Sequence, residues 1–423
     1  MVKGKDREKF IEDVKRALFK DIALKTPRKL CNHCLGRLFG KAGSGLDNWT
    51  RGNALRKFVS GPEEAVKDCE ICKGLFTELD KFTNLACEKL RDYDYSTFVI
   101  GTKVDPELIE NEERFWVDLG AENAEQIKLE LNREIGKKVQ SLVGKEVDNK
   151  KPEIAVTIDT RYDSVELQIA PIFIYGRYIK YSREIPQTKW PCKKCNGKGC
   201  SRCSGTGKMY QESVEEIIAK PFMAATKGCA HAFHGMGRED IDARMLGSGR
   251  PFVLEISKPV IRNFDLEETV KKANEIGKGK VEIREVRFGE RNDIIKVKEE
   301  RHPKTYRIEV EFEHAVNNEK IKELPSIFTG RRISQKTPIR VVHRRADKTR
   351  MRRVLEFAIE SLNGEKESKK ASFIIKGESG LYIKELFHGD NGRTQGSVAE
   401  TLGTSVKVNA LDVIAIHDEE MEG

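Results

Sequence analysis

The chain has 423 residues, 77 of them basic and 68 acidic, for a net charge of +9, with 38% apolar content. That length implies two or three domains, and no apolar run approaches membrane-spanning length. The amino terminus, Met-Val-Lys-Gly-Lys-Asp-Arg-Glu-Lys, lacks the apolar core of a signal peptide, so a cytoplasmic chain is expected, in which ten cysteines point to metal rather than disulfides.

In chain order, residues 1–30 read as a charged amphipathic helix. Cys31-Asn-His-Cys34 and Cys69-Glu-Ile-Cys72 follow, two pairs that can each place two thiolates on one side of a tight turn and together complete a tetrahedral zinc site. His33, inside the first pair, reads as an exposed passenger rather than a ligand. Residues 74–95 have helical apolar spacing, a second helical stretch runs near 121–143 and ends about Gly144, and alternating strands carry Ile154, Val156 and Ile158, then Val165, Leu167 and Ile169. The aromatic and basic run 171–181 and the segment Ser182–Trp190 read as the exit of this accessory region.

Cys192-Lys-Lys-Cys195 and Cys200-Ser-Arg-Cys203 form a tighter cluster, with glycines that let backbone amides turn toward the sulfurs. Four thiolates can hold zinc or an iron–sulfur cluster, and the paired knuckles fit structural zinc better. One or two structural zinc ions and no organic cofactor are therefore expected. Cys87 and Cys229 read as small core residues.

A capping box at Ser213–Glu216 opens a fresh helix. Next comes His234–Phe252, where Asp240 and Asp242 lie among Arg238, Arg244 and Arg250 and several glycines. An arginine beside an aspartate holds the acid ionised and aims its oxygens, which is how a nucleophilic carboxylate would be built. Asp265–Glu268 caps a helix ending at Gly277. Strands follow at Val281–Val286 and Tyr306–Phe312, and later at Ser372–Lys376 and Val413–His417. On a strand Lys304 and Tyr306 share a face, so an ammonium and a phenol can meet in one pocket. Residues 331–353 hold ten basic residues against one acid, Asp347. Such self-repulsion suits a phosphate-gripping loop or finger rather than scaffold. Its expected RNA contacts are Arg331, Arg332, Arg340, Arg344, Arg345, Arg350, Arg352 and Arg353.

The Gly237-Arg238-Glu239-Asp240 core resembles the Gly-Arg-Thr-Asp loop of pseudouridine synthases, and the longer run resembles their family-ten branch, archaeal and eukaryal enzymes acting on the TΨC arm of tRNA. Lys304-Thr-Tyr306 and Gly380-Leu-Tyr-Ile-Lys384 resemble two later motifs of these enzymes. The resemblance spans essentially the whole chain. It implies Asp240 as nucleophile, with Asp242 as the competing candidate, and Tyr306, Tyr382, Lys384 and Arg238 as substrate contacts, Lys384 pairing with Asp240. It also implies tRNA as partner and uridines 54 and 55 as targets; no obligate protein partner is expected, which a monomer would satisfy, and the oligomeric state is left open.

The expected architecture is α+β or mixed α/β. Residues 1–74 would form a zinc-knuckle region and 75–190 an RNA-binding domain, in which the family resemblance implies a THUMP module. Residues 191–210 would be a second knuckle acting as hinge or clasp, and 211–423 a catalytic domain on a mixed sheet. Two rivals stand beside this reading. One is another THUMP-bearing tRNA-modifying enzyme, disfavoured by the missing nucleotide or methyl-donor fingerprint; the other is a non-catalytic zinc or RNA-binding protein.

Overall fold

The computed structural model describes residues 29–41, 45–56, 67–119 and 122–418, with residues 9 and 12. The helix expected over 1–30 lies almost wholly outside these residues. The chain divides into two compact units, one of residues 1–170 with 258–262, the other of 171–257 with 263–423. Among the described residues no helix is long and apolar enough to cross a membrane.

In the first unit, Phe82, Ala86 and Leu90 recur every four residues along the helix Leu79–Leu90, and Leu131, Ile135 and Val139 do the same along Ile127–Val143, so each helix turns one buried stripe inward. Gly144, at φ 67°, ends the second helix in the left-handed conformation that glycine adopts without a Cβ clash. The stripes cover a four-stranded sheet of β1 (Thr97–Lys103), β2 (Glu146–Val147), β3 (Ile154–Asp159) and β4 (Ser164–Ile169), ordered β2-β1-β3-β4. β1 and β3 are parallel neighbours and β4 returns antiparallel.

The second unit is built on ten strands: β5 (Ile172–Lys180), β6 (Ala230–Gly235), β7 (Arg244–Ser257), β8 (Val281–Gly289), β9 (Lys304–Asn317), β10 (Arg332–Lys336), β11 (Thr349–Leu362), β12 (Glu367–Gly377), β13 (Thr394–Gln395) and β14 (Val406–Ile416). Their order is β13-β10-β11-β12-β9-β14-β7-β5-β8, with β6 paired to β7. Two apolar cores lie along this sheet. One gathers β5, β7 and the helix Val214–Thr226; the other gathers β9, β12 and the helices Asn318–Phe328 and Ile383–His388. They meet where β14 runs parallel to β7 through only two residue pairs, Asp412 with Arg244 and Val413 with Met245. A seam with so few ladder bonds leaves room for loops to converge.

Two expectations change here. β5, read as the exit of the accessory domain, hydrogen-bonds between β7 and β8 inside the second unit, and residues 172–180 are buried toward both sheet faces at their carboxyl end. A strand buried on both faces cannot close an edge. The basic run 331–353 is no free finger either: its ends are β10 and the start of β11, paired antiparallel from Arg332–Arg353 to Lys336–Thr349. Only residues 337–348 form the connection.

Candidate active site and cysteine clusters

The signature segment folds as the end of β6, a turn over residues 236–243, and the start of β7, which reaches back to Arg244. The turn is held from beneath. The buried Lys180 ammonium donates to the carbonyls of Ile185, Asp240 and Ile241 at 3.0, 3.2 and 2.8 Å, and Arg183 donates to the carbonyls of Asp242 and Leu411 at 2.9 and 3.0 Å. Gln187 donates to the Gly237 carbonyl at 2.9 Å. Fixing the backbone at so many points fixes where the carboxylates project.

A cleft of about 740 Å³ opens over this turn, lined by Arg238, Glu239, Asp240 and Asp242 from the turn, Lys304 and Tyr306 from β9, Arg340 and Arg345 from the 337–348 connection, and Tyr382 and Lys384. The structure thus brings together the aspartate pair, the Lys304/Tyr306 strand face and the 380–384 motif.

Charge pairing differs from expectation. Arg340 donates to Asp240 Oδ1 at 2.6 Å and through its Nε to Glu385 at 2.6 Å, so it bridges two acids. Lys384 binds both Asp242 oxygens at 2.7 and 2.8 Å and stands 3.6 Å from Asp240 Oδ2. The primary cation on Asp240 is therefore Arg340, read from the sequence as an RNA contact, and Lys384 is shared. The planar guanidinium can serve two carboxylates at once; the compact ammonium settles on the nearer one. Arg250, expected beside an aspartate, pairs instead with Glu239 at 2.9 Å, both side chains 1% exposed, and the Tyr178 hydroxyl donates to the same carboxylate at 2.8 Å. Arg244 lies 3.7 Å from Asp412.

These neighbours set the protonation states. Burial presses the Asp242 acid upward, but the Lys384 ammonium outweighs it and holds the pKa below the usual aspartate range. Burial pushes the Tyr306 phenol up to about 12, so it stays protonated at neutral pH. Burial pulls the Lys304 ammonium down to about 8, with Arg250 adding to the effect and Glu239 opposing it.

Of the other expected contacts, Arg345 reaches the Tyr382 hydroxyl at 3.1 Å, and Tyr382 is pinned at its backbone by Gln335 at 2.9 Å. Tyr382 is the N-cap of the helix Ile383–His388, whose first turn carries Lys384. Arg350 bonds Thr337 at 2.8 Å, Arg352 bonds the Met351 carbonyl at 2.8 Å, and Arg331 lies over the Phe328 ring at 5.6 Å. Arg332 and Arg353 are exposed and pair across the β10–β11 ladder. The Arg344 side chain falls outside the described residues. Lys180, Arg183, Gln187 and Trp190 escaped the sequence reading because their segment was assigned to the accessory domain; its density of basic and aromatic residues was the available signal.

Each predicted cysteine quartet converges. Within each, the four sulfurs lie within 4.8 Å of one another. Four thiolates at about 2.3 Å from one ion would be spaced by about 3.8 Å. Cys31 and Cys72 sulfurs are 3.6 Å apart, Cys192 and Cys200 3.9 Å, Cys195 and Cys203 3.8 Å, Cys200 and Cys203 3.7 Å. Those spacings fit tetrahedral metal ligation and are far too long for disulfides. In the first cluster Arg37 donates to Cys34 Sγ at 3.1 Å and pairs with Glu112 and Glu130. His33 is no exposed passenger: its ring stacks on Phe76 at 4.4 Å and bonds Glu130 at 2.7 Å. In the second cluster the amides of Gly199, Cys200 and Gly207 donate to cysteine sulfurs, each at 3.2 Å, the turn toward sulfur that the glycines were read to allow. Cys87 is partly buried; Cys229 is exposed, not a core residue.

Comparison with known proteins agrees with this layout. The family description "Pus10, C-terminal" matches residues 173–417, and "Pus10 THUMP domain, archaeal" matches residues 82–159. A protein of Methanothermobacter marburgensis named tRNA pseudouridine synthase Pus10 is 44% identical over 400 residues, covering 92% of this chain and 96% of its own. One of the same name from Methanocaldococcus jannaschii is 42% identical over 433 residues, covering 93% of each chain. Among solved structures, a Cbf5-Nop10-Gar1 complex aligns with a TM-score of 0.32 and 14% identity over 57% of this chain and 48% of that chain. On the family matches and the identities over nearly the full length, this chain belongs to the Pus10 family.

Proposed function

We propose that the chain is a tRNA pseudouridine synthase, an isomerase that converts uridine to pseudouridine in the TΨC arm at positions 54 and 55, with Asp240 as its nucleophile. The observation that carries this reading is Asp240 itself: a carboxylate on an anchored turn, 23% exposed, ion-paired to Arg340 and open to a cleft that also holds Tyr306 and Lys304. Arg340, 2.6 Å from Asp240 Oδ1, holds the carboxylate in a fixed aim toward the cleft, as an attacking group requires. The target nucleoside must leave its stack to reach the turn, because its reactive edges are inaccessible in a folded arm. Asp240 attacks C1′ of the extruded nucleoside as the N1–C1′ bond breaks, the uracil rotates, and C5 bonds to C1′ as the Asp240–C1′ bond breaks and frees the carboxylate. The C5 proton is lost and N1 regains one, so atoms balance without redox change or organic cofactor. Tyr306, neutral at neutral pH, is the ring against which the uracil stacks near C5, and Tyr382, Lys384 and Arg238 line its entry.

The two cysteine quartets hold structural zinc, the first within the apolar core of its unit and the second tying together the short 191–208 loop; four protein ligands each leave no position for substrate. The 82–159 module and the exposed arginines of 331–353 supply further RNA contacts. Incubation of purified protein with an unmodified tRNA transcript, followed by carbodiimide primer extension, is expected to stop at positions 54 and 55. A transcript left without any pseudouridine overturns the reading.

A further inference from the structure

The second cysteine knuckle carries charge that its own fold does not use. Residues 191–211 contain Lys193, Lys194, Lys198, Arg202 and Lys208 and no acidic residue. Lys208 pairs with Glu216. The other four are exposed, and none forms an ion pair among the described residues. Surface cations elsewhere commonly do, as Lys81 with Glu78 and Lys272 with Glu268.

One use for such cations would be to offset the thiolates of their own cluster. The first cluster does this, with Arg37 donating to Cys34 Sγ. In the second, the hydrogen bonds to sulfur come from the backbone amides of Gly199, Cys200 and Gly207, and no lysine or arginine donates to a sulfur. The knuckle is also rooted at the cleft. Its base is closed by the Pro191–Lys208 bridge and by Met209 donating to the Trp190 carbonyl at 2.9 Å, and Trp190 itself lines the cleft beside Gln187. The Trp190 ring is braced edge-on by Tyr210 at 5.7 Å.

We infer that the second knuckle is an RNA-backbone grip: Lys193, Lys194, Lys198 and Arg202 bind phosphates flanking the nucleotide that enters the cleft. This rests on the reading that the cleft takes a uridine of tRNA. An acid-free cluster of unpaired cations beside a nucleotide-sized cleft is complementary to a polyphosphate strand, whose counterions it would release.

The test is a fourfold variant of the full chain, Lys193→Gln, Lys194→Gln, Lys198→Gln and Arg202→Gln, with a charge-retaining counterpart that exchanges Lys for Arg and Arg for Lys at the same positions. Affinity for an unmodified tRNA transcript is measured across a salt series, with metal content and thermal melting recorded beside it. The glutamine variant is expected to keep its metal and its melt. It should bind at least about tenfold more weakly near 0.1 M salt, with the slope of log affinity against log salt flattened by about three units and the deficit shrinking as salt rises. The charge-retaining variant should bind like the parent. An unchanged slope overturns the inference, and so does loss of metal from the glutamine variant with the slope preserved, which would assign the cations to the cluster. If the parent protein makes no pseudouridine while the slope still flattens, the functional reading fails and the grip stands.

Discussion

Glu239 and Asp240 are neighbours in the chain, each paired to an arginine, yet their surroundings have opposite consequences. Glu239 and Arg250 are both 1% exposed, and Tyr178 and the Met236 carbonyl take up their remaining bonding capacity. Asp240 is 23% exposed, its arginine 35%, and one of its oxygens faces only Lys384 at 3.6 Å. A saturated buried pair is scaffold, since removing either partner strands a charge. A pair with an under-used oxygen beside a cleft is available for chemistry. On the proposed function, the turn separates holding from reacting across a single peptide bond.

Asp240→Asn tests the reacting side and should have the largest effect. The amide keeps size and hydrogen-bonding capacity but cannot attack, so turnover should fall by on the order of 10⁴-fold or more. Transcript binding, measured by filter retention, should change by less than about twofold, since the phosphate contacts are intact. Wild-type turnover in this variant would remove Asp240 from the reaction.

Glu239→Gln tests the holding side. It leaves the Arg250 guanidinium buried without its counter-charge, at a cost of about 3–5 kcal/mol in unfolding free energy. Urea denaturation followed by circular dichroism reads this directly. A loss under about 1 kcal/mol would mean that the pair relaxes to solvent and the contrast with Asp240 is weaker than the exposures indicate.

Lys304 lines the cleft with Asp240, while the holding pair, Arg250 and Glu239, acts on its ammonium. Its folded pKa is lowered to about 8 from an ordinary 10.5. Between those values the unfolded chain holds a proton that the folded chain lacks, so this residue makes unfolding free energy rise with pH across the window. Below pH 8 the full penalty of burying the charge is present. Lys304→Met removes the penalty, so its stability advantage over the parent should shrink by up to about 3 kcal/mol as pH goes from 8 to 10.5. A difference independent of pH would show that the ammonium is solvated in the folded chain.

The sequence disclosed this site unevenly, for physical reasons. The cysteine quartets and the Lys304/Tyr306 strand face were legible because ligand spacing and two-residue periodicity are local. The partners of Asp240 were not, because Arg340 lies 100 residues away and only the fold brings it there. Arg340 sits in a run so basic that phosphate binding was the natural assignment, and nothing local marks it out from Arg345. β1 was missed because its short apolar run, Phe98–Ile100, follows directly on a helical pattern, and the alternating burial of Phe98, Ile100 and Thr102 does not show in residue type. The helix Pro106–Leu119 was missed although Asp105 accepts from the Glu107 amide at 2.9 Å, a start signal the Asp-Pro pair announces. β5 was placed in the wrong unit because a strand's hydrogen-bonding partners, unlike its periodicity, are not written in its own residues.

Asp242→Asn should give the smallest effect and is the sharpest test of which aspartate reacts. Asp242 is 66% exposed and bound through both oxygens to Lys384, so it has no under-used oxygen to offer the cleft. Its role in this arrangement is to hold Lys384 near, but not on, Asp240. With Asp242 66% exposed, solvent screens the pair even though Lys384 is 14% exposed, so it contributes about 0–1 kcal/mol and replacing the acid should lower turnover by no more than about fivefold. The loss should be larger in Lys384→Met, where the ammonium 3.6 Å from Asp240 disappears altogether. Combining the two substitutions should then cost no more than Lys384→Met alone, because Asp242 would act only through that lysine. Additive losses in this cycle would give Asp242 a role independent of Lys384. A dead Asp242→Asn enzyme beside an active Asp240→Asn one would exchange the two assignments outright.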